Sequence, residues 1–410
     1  MSRRARRIAG VAAALAFASI SSTFTPTPGR AESDDAVALR SGIASVERGD
    51  TAAAEASLRP LAAGDAEAAA WLAAALLDRG DASGLREAIG LLKRGAESGN
   101  PRARHLLALQ YAAGKGVPRD EARAAKLFEE AAEGGIARAA YNLGFLHATG
   151  RGVPKDPAEA AKWYERAAKD GDPYGAYAFG RSIETGPRAD ARAAEIVKAY
   201  RAAAERGHLP AALRLGALLA AGRGAKRDLG AARMWLKHAA DNGFPEGALA
   251  LGDLAAAEAT GRGARAAAQA AVGWYTIAAE AGLASAQFKL ANAYFAGAGP
   301  ERDFAVAERW YIRAADQGDA DAQYTLGIWR SGGIGGKKDP VDGYKWLLLA
   351  EKQGHSNAMK VRVRTTSSLA AADARKAEAQ AGAFRAKPER APARPDDPPP
   401  PLKPPATTTP

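Results

Sequence analysis

Residues 136–171, IARAAYNLGFLHATGRGVPKDPAEAAKWYERAAKDG, hold in one stretch the unit that the chain repeats. Displaced by 36 residues, the same landmarks return. Leu107, Leu143, Phe179 and Leu215 fall in register, as do Gly114, Gly150, Gly186 and Gly222. A fixed period of that size belongs to stacked helical hairpins, each too small to bury its own apolar face, rather than to one globular core.

Inside the unit, Ala139, Leu143 and Gly144 recur at i, i+4 and i+5, the apolar stripe of a first helix. Small residues at 139, 140 and 144 admit a neighbouring helix closely. Gly150-Arg151-Gly152-Val153-Pro154 then ends that helix, because glycine accepts backbone angles that other residues avoid and Pro154 blocks an early restart. Asp156 stands where an N-cap accepts backbone N–H groups, Pro157 suits the first helical position, and Glu159 completes a capping-box-like start. Trp163, Ala167 and Ala168 are the expected buried stripe of the second helix, which stops at Gly171.

The pattern A-x-x-x-L-G…G-x-G-V…D…A-x-x-W/L…A-A…G resembles the Sel-one-like repeat, a relative of the tetratricopeptide repeat with a longer internal turn. The resemblance covers residues 64–354. It implies an all-α fold, a right-handed α-α superhelical solenoid of tandem helix-turn-helix repeats. Composition agrees, since Ala, Leu and Arg are abundant and strand signals are sparse. The chain of 410 residues contains no cysteine, which removes disulfides, thiolate metal sites and cysteine nucleophiles together. It also separates the chain from the cysteine-rich secreted branch of that family, whose activities are not carried over.

Five stretches follow from this reading. Residues 1–31 are expected to be a signal peptide: Arg3, Arg4, Arg6 and Arg7 precede the apolar run Ile8–Ile20, with Ala16-Phe17-Ala18 as a cleavage site and Gly29-Arg30-Ala31 as a later alternative. That run is short for a membrane-spanning helix, so no integral membrane segment is expected once the signal is removed. Residues 32–63 read as an N-terminal capping helical pair broken at Gly49-Asp50. Residues 64–354 divide into eight repeats: 64–99, 100–135, 136–171, 172–207, 208–243, 244–282, 283–318 and 319–354. The first and fourth are degenerate at the turn, and the sixth holds an insertion near 258–264. Residues 355–386 are expected to be C-terminal capping helices, with an Ala-rich helix over Ser368–Arg385 covering the open end. Residues 387–410 form a Pro-rich tail expected to be disordered.

The net charge of +11 sits at the two ends. Residues 1–30 carry five arginines and no acid, and 360–410 carry ten basic against five acidic residues, leaving about +1 between them. No basic stripe follows the repeats, so nucleic acid is not an expected partner.

Catalytic chemistry finds little purchase. The histidines are His105, His147, His208, His238 and His355, and none stands at metal-ligand spacing, so no metal or cofactor is expected. The G-x-G segments follow helices and recur, unlike a phosphate-binding loop after a strand. Asp120, Asp156, Asp228, Asp303 and Asp339 recur just before second helices, which makes them caps.

Binding remains. Solenoids of this class present their first helices on a concave face. Counting from the leucine at 143, positions −5, −2 and +2 are expected to face the groove. They give as partner-binding candidates Arg102, His105, Arg138, Tyr141, Phe145, Tyr174, Tyr177, Arg181, Phe288, Asn292 and Tyr324. Arginine with aromatic rings is a composition favoured at binding hot spots. The expected partner is a protein (a peptide, a helix or a sensor domain), with a cell-envelope polysaccharide as the other candidate.

The expectation is therefore a non-enzymatic interaction scaffold or regulator, periplasmic or secreted. The resemblance adds a role in envelope signalling or exopolysaccharide production. Two alternatives stay open: a hydrolytic or carbohydrate-active enzyme using groove carboxylates near Glu246 and Asp253, and a cytoplasmic assembly adaptor if residues 1–31 are not cleaved.

Overall fold

The computed structural model describes residues 33–334, 338–367 and 369–389, so the expected signal peptide and residues 390–410 of the expected tail lie outside them. Helices follow one another as antiparallel pairs. They are α1 (Asp34–Arg48) with α2 (Thr51–Leu58), α3 (Ala66–Arg79) with α4 (Ala82–Glu97), and α5 (Pro101–Ala113) with α6 (Glu121–Glu133). Next come α7 (Ala137–Thr149) with α8 (Pro157–Lys169), α9 (Pro173–Glu184) with α10 (Ala193–Ala204), and α11 (Leu209–Ala221) with α12 (Leu229–Asp241). Then follow α13 (Pro245–Ala257) with α14 (Ala264–Glu280), α15 (Ala284–Ala296) with α16 (Phe304–Asp316), and α17 (Ala320–Gly332) with α18 (Pro340–Lys352). Two last helices, α19 (Ala358–Thr366) and α20 (Ala371–Ala383), close the described chain, which contains no strand.

Turn chemistry sets these boundaries. Gly150 ends α7 in the left-handed region at φ 72°, and Asp156 opens α8 by accepting from the N–H groups of Ala158 and Glu159 at 2.9 and 3.0 Å. Asp120, Asp228, Asp303 and Asp339 cap α6, α12, α16 and α18 in the same way. The capping box is half made: Glu159 turns outward to Lys162 at 2.7 Å instead of reaching back. The second turn glycine has a different duty. A Cβ on Gly152 would lie 2.2 Å from the carbonyl carbon of Glu121, and one on Gly224 2.2 Å from the carbonyl oxygen of Ala193. Each turn thus rests directly on the start of the preceding pair's second helix, where only glycine fits.

The core of each pair is a large side chain from the second helix set into a small residue of the first. The large member is not the expected Trp163, which is half-buried, but its neighbour Tyr164, 8% exposed against Gly144. Phe128, Tyr200, Leu236, Tyr275, Tyr311 and Leu347 repeat it, all buried. Their holes are Gly180, Gly216, Gly252 and Gly327 where glycine is present. Burying one such side chain contributes about 1.5–3 kcal/mol. The tryptophans lie one residue earlier, so their rings turn toward the adjacent pair, and Trp163 shares a shallow hollow of about 420 Å³ with Glu129 and Lys126 of α6. Three tyrosines also find acceptors on the first helix: Tyr200 on Glu184 at 2.6 Å, Tyr275 on Asp253 at 2.8 Å, and Tyr311 on Asn292.

First helices of consecutive pairs approach one another, as α1 does α3, α3 does α5, and α7 does α9, whereas within the nine pairs second helices do so appreciably only between α8 and α10. The first helices therefore line the inside of the curve. The insertion near 258–264 is absorbed by a short 3₁₀ turn at Gly261–Gly263 and by a longer second helix, 17 residues in α14 against 13 in α12.

The C-terminal end departs from expectation. Helix α20 lies along α18 rather than across α19, leaving Met359 and Val363 exposed at the end of the stack. Residues 387–389, expected to be disordered, are instead bound to the repeats: the Lys387 N–H donates to the Asp316 carbonyl at 2.9 Å, and Glu389 pairs with Arg313.

Candidate functional site

The inner face is built from the bottom of each first helix and from the residue that begins the next one. Near the N-terminus, the Arg102 guanidinium lies 3.9 Å from the centre of the Trp71 ring. Glu67 ties the pair together, accepting from Trp71 Nε1 and Arg102 Nε at 3.0 Å each and from Asn100 Nδ2 at 2.9 Å. Burial opposes ionisation of Glu67, but the hydrogen bonds from Asn100 and Arg102 outweigh it and hold the carboxyl below its usual range.

At the centre, Arg138 reaches from α7 to Asp172, the buried N-cap of α9, at 2.5 Å. The same carboxylate caps α9 by accepting from the Gly175 N–H at 2.7 Å. Held there, the Arg138 guanidinium sits 4.1 Å above Tyr174 and 6.0 Å from Tyr141, whose rings are 6.0 Å apart. Tyr174 meets His208 edge-on at 5.0 Å, and His208 lies over Tyr177 at 4.4 Å. A half-buried cation thus joins a connected run of rings on three successive first helices.

Not every candidate stands on a surface. His105 is 4% exposed, packed on Phe128 at 5.8 Å with the Asn142 amide nitrogen 3.2 Å from its Nε2. Burial above all, then the positive charges of Arg138 and Arg102, lowers its pKa to about 3. It is a neutral core residue, held between Phe128 of its own pair's second helix and Asn142 of the next first helix. Tyr177, 7% exposed, is likewise mainly packing, between His208 and Tyr200. Phe145 and Arg181 are half-buried farther along their helices; Phe145 lies toward the turn, 5.9 Å from the Arg151 guanidinium.

The C-terminal candidates form separate groups. Phe288 packs on Tyr311 at 5.7 Å, and Asn292 is the acceptor of the Tyr311 hydroxyl, so both serve the core of their own pair. Tyr324 stacks on His355 at 4.1 Å, and the His355 Nε2 is 3.3 Å from Asp321. Between the two halves the −2 position is occupied by half-buried Leu213 and Leu249, which breaks the aromatic run.

Trp71 and His208 were missed by counting from the leucine. Trp71 belongs to the degenerate first repeat, where the glycine C-cap falls at Gly80 and shifts the register. His208 is the N-cap of α11, its Nδ1 accepting from the Ala211 N–H at 3.2 Å. Asn100, Asp172 and Asp319 cap first helices at the matching place, and that recurrence was the available signal. Burial, then the nearby Arg138 charge, lowers the His208 pKa to about 4.

The acids considered for catalysis are engaged otherwise: Asp253 accepts from the Tyr275 hydroxyl and from Lys289. Among the described residues no group of three or more His, Asp or Glu could hold a metal ion, and no helix is long and apolar enough to cross a membrane.

Comparison with known proteins gives the family. The family model described as "Sel1 repeat" matches residues 101–136, 137–172, 209–244, 245–283, 284–319 and 320–355. The two repeats it passes over, 64–99 and 172–207, are those with degenerate turns. Among solved structures, a Sel1 repeat protein from Oxalobacter formigenes is 32% identical with a TM-score of 0.58, over 75% of this chain and 88% of that one. A protective antigen of uropathogenic Escherichia coli with the SLR fold is 23% identical with a TM-score of 0.31, over 80% of this chain and 93% of its own. A comparison with curated protein sequences found no match. Repeats of this kind generally mediate protein binding. With the family model matching over half its length, this chain belongs to the Sel1 repeat family.

Proposed function

We propose that the protein is an exported, non-enzymatic interaction scaffold of the cell envelope, holding an extended peptide or a helix of a partner along its inner face. The observation that carries this reading is the connected run of Arg138, Tyr141, Tyr174 and His208, with a second arginine-on-ring pair, Arg102 on Trp71, nearer the N-terminus. Rings and guanidinium groups pre-ordered by their neighbours lose little entropy on contact with a partner. A polysaccharide would need open ring faces to stack on, whereas His208 covers Tyr177 and His355 covers Tyr324, which favours protein over sugar. Export is supported by the basic cluster Arg3–Arg7 and the apolar run after it, and a role in envelope signalling or exopolysaccharide control fits that compartment.

Site-specific photo-crosslinking in the native cell tests the reading. A crosslinker in place of Tyr174 is expected to capture a partner that one in place of Met234, exposed on α12, does not. With the crosslinker kept at position 174, Tyr141→Ala is expected to weaken the captured band while the circular-dichroism spectrum stays the same. Equal capture from both positions would reject the inner face as the binding surface.

A further inference from the structure

The chain after α20 runs in an extended form along the edge where second helices end and first helices begin. Phe384 sets its ring against Trp346 at 5.7 Å, and the Ala386 methyl comes within 3.3 Å of where a Gly318 side chain would start. The Lys387 N–H donates to the Asp316 carbonyl at 2.9 Å, and the Glu389 N–H donates to Gln317 Oε1 at 3.0 Å. The Glu389 carboxylate accepts two bonds from Arg313, at 2.9 and 2.5 Å, and one from Gln287 Nε2 at 3.0 Å. Gln287 is fully buried and its orientation is fixed: Nε2 also donates to the Ala279 carbonyl at 3.1 Å, and Oε1 accepts from Gln317 Nε2 at 2.8 Å.

These contacts read both the backbone and the charge of an extended segment. The next repeat carries the same amide ladder, Gln323 donating to the Ala315 carbonyl at 3.1 Å and Gln353 to Gln323 at 2.7 Å. Leu349 stands there in the place of Arg313, however, so of these two amide ladders only the first carries a cation to select a carboxylate. What holds the segment is polar and near the surface: Arg313 and Glu389 are 40% and 31% exposed, and residues 385–389 are exposed throughout. Such contacts are individually weak, and their occupancy comes from tethering, which keeps the segment at high local concentration.

We propose that Gln287, Arg313 and Gln317 form a binding site for an extended peptide bearing one carboxylate, which the chain's own residues 384–389 fill as a displaceable strap. The site is separate from the inner face and does not rest on the reading given for it. Its external ligand is a partner segment of the same chemistry: extended backbone, a carboxylate that meets Arg313, and an aromatic ring toward its N-terminal end that meets Trp346.

The test uses the full chain and a fluorescein-labelled peptide, AFRAKPE, blocked at both ends and followed by anisotropy. Glu389→Lys empties the site by setting two cations against each other, and is expected to bind the peptide at least about tenfold more tightly than the wild type. Adding Arg313→Ala to that variant is expected to remove the gain. In the wild type, hydrogen exchange at the Lys387 and Glu389 amides is expected to quicken as excess peptide displaces the strap. Equal affinity in wild type and Glu389→Lys, no binding by either, or unchanged amide exchange would overturn the proposal. So would a wild-type dimer that Glu389→Lys dissolves, since the strap would then be traded between two copies.

Discussion

His355 lies flat against Tyr324, ring centres 4.1 Å apart and planes 23° from parallel, and so repeats the stacking of His208 on Tyr177 at 4.4 Å and 31°. In both, the ring two residues before the inward leucine or phenylalanine meets the residue at the entry to the next first helix. One repeat earlier Asp172 holds that place, and Arg138 reaches it beside Tyr141. What stands at the entry position therefore decides whether the inner face is aromatic or charged.

Arg138 and Asp172 give the first prediction. Arg138→Ala leaves a carboxylate that is 5% exposed with its α9 cap but without its cation. The expected loss is about 1–3 kcal/mol, read from the urea midpoint at neutral pH. A change below about 0.3 kcal/mol would mean that the pair contributes nothing to folding.

His105 gives a pH dependence. Its folded pKa of about 3 lies below the ordinary value of 6.5, so the folded protein keeps it neutral while the unfolded chain takes up a proton. Stability is therefore full above about 6.5 and falls as the pH drops toward 3, by about 1.4 kcal/mol per pH unit in the middle of that window. His208, lowered to about 4, adds to the slope over the upper part of it. His105→Phe is expected to flatten the stability curve between pH 6 and 4.5 by about one proton, measured by urea unfolding at several pH values. An unchanged slope would put the histidine in contact with solvent.

The seam between repeats is open to a single substitution. Gly152→Ala forces a side chain to φ 70° and against the Glu121 carbonyl. About 2 kcal/mol or more should be lost, seen as a lower thermal midpoint. Gly49→Ala, with φ 75° but open space around it, should cost less, and the difference isolates the clash.

Tyr164 and Trp163 are expected to behave oppositely to their size. Tyr164→Ala should cost about 3–5 kcal/mol, because the ring fills the hollow above Gly144. Trp163→Ala, at a half-buried position between pairs, should cost clearly less in the same denaturation assay.

Sequencing the N-terminus of the mature protein checks export. A start after Ala18 or Ala31 is expected, and an intact Met1 would move the proposed scaffold to the cytoplasm.

Period and turn chemistry made the hairpins legible, since Gly150 and Asp156 mark helix ends through backbone needs that act locally. The choice between Trp163 and Tyr164 was not local. Both fit a helical stripe, and the decision came from which of the two faces Gly144, the one position on the first helix with no side chain to refuse a ring. The inner face was read in part: Arg138, Tyr141 and Tyr174 do assemble, while His105 turned inward and Asn292 was taken by a tyrosine of its own pair. The strap lay beyond reach, because nothing in AFRAKPE announces Arg313, which stands far earlier in the chain.

A rod of equal divisions lets a rigid neighbour settle in several registers with the same contacts. Helix α14, with 17 residues where α12 has 13, projects about 6 Å farther than the second helices around it. Helix α4, with 16 residues, makes a smaller step near the N-terminus, so a body lying along that flank meets two unequal stops, and the measure acquires an origin and a direction.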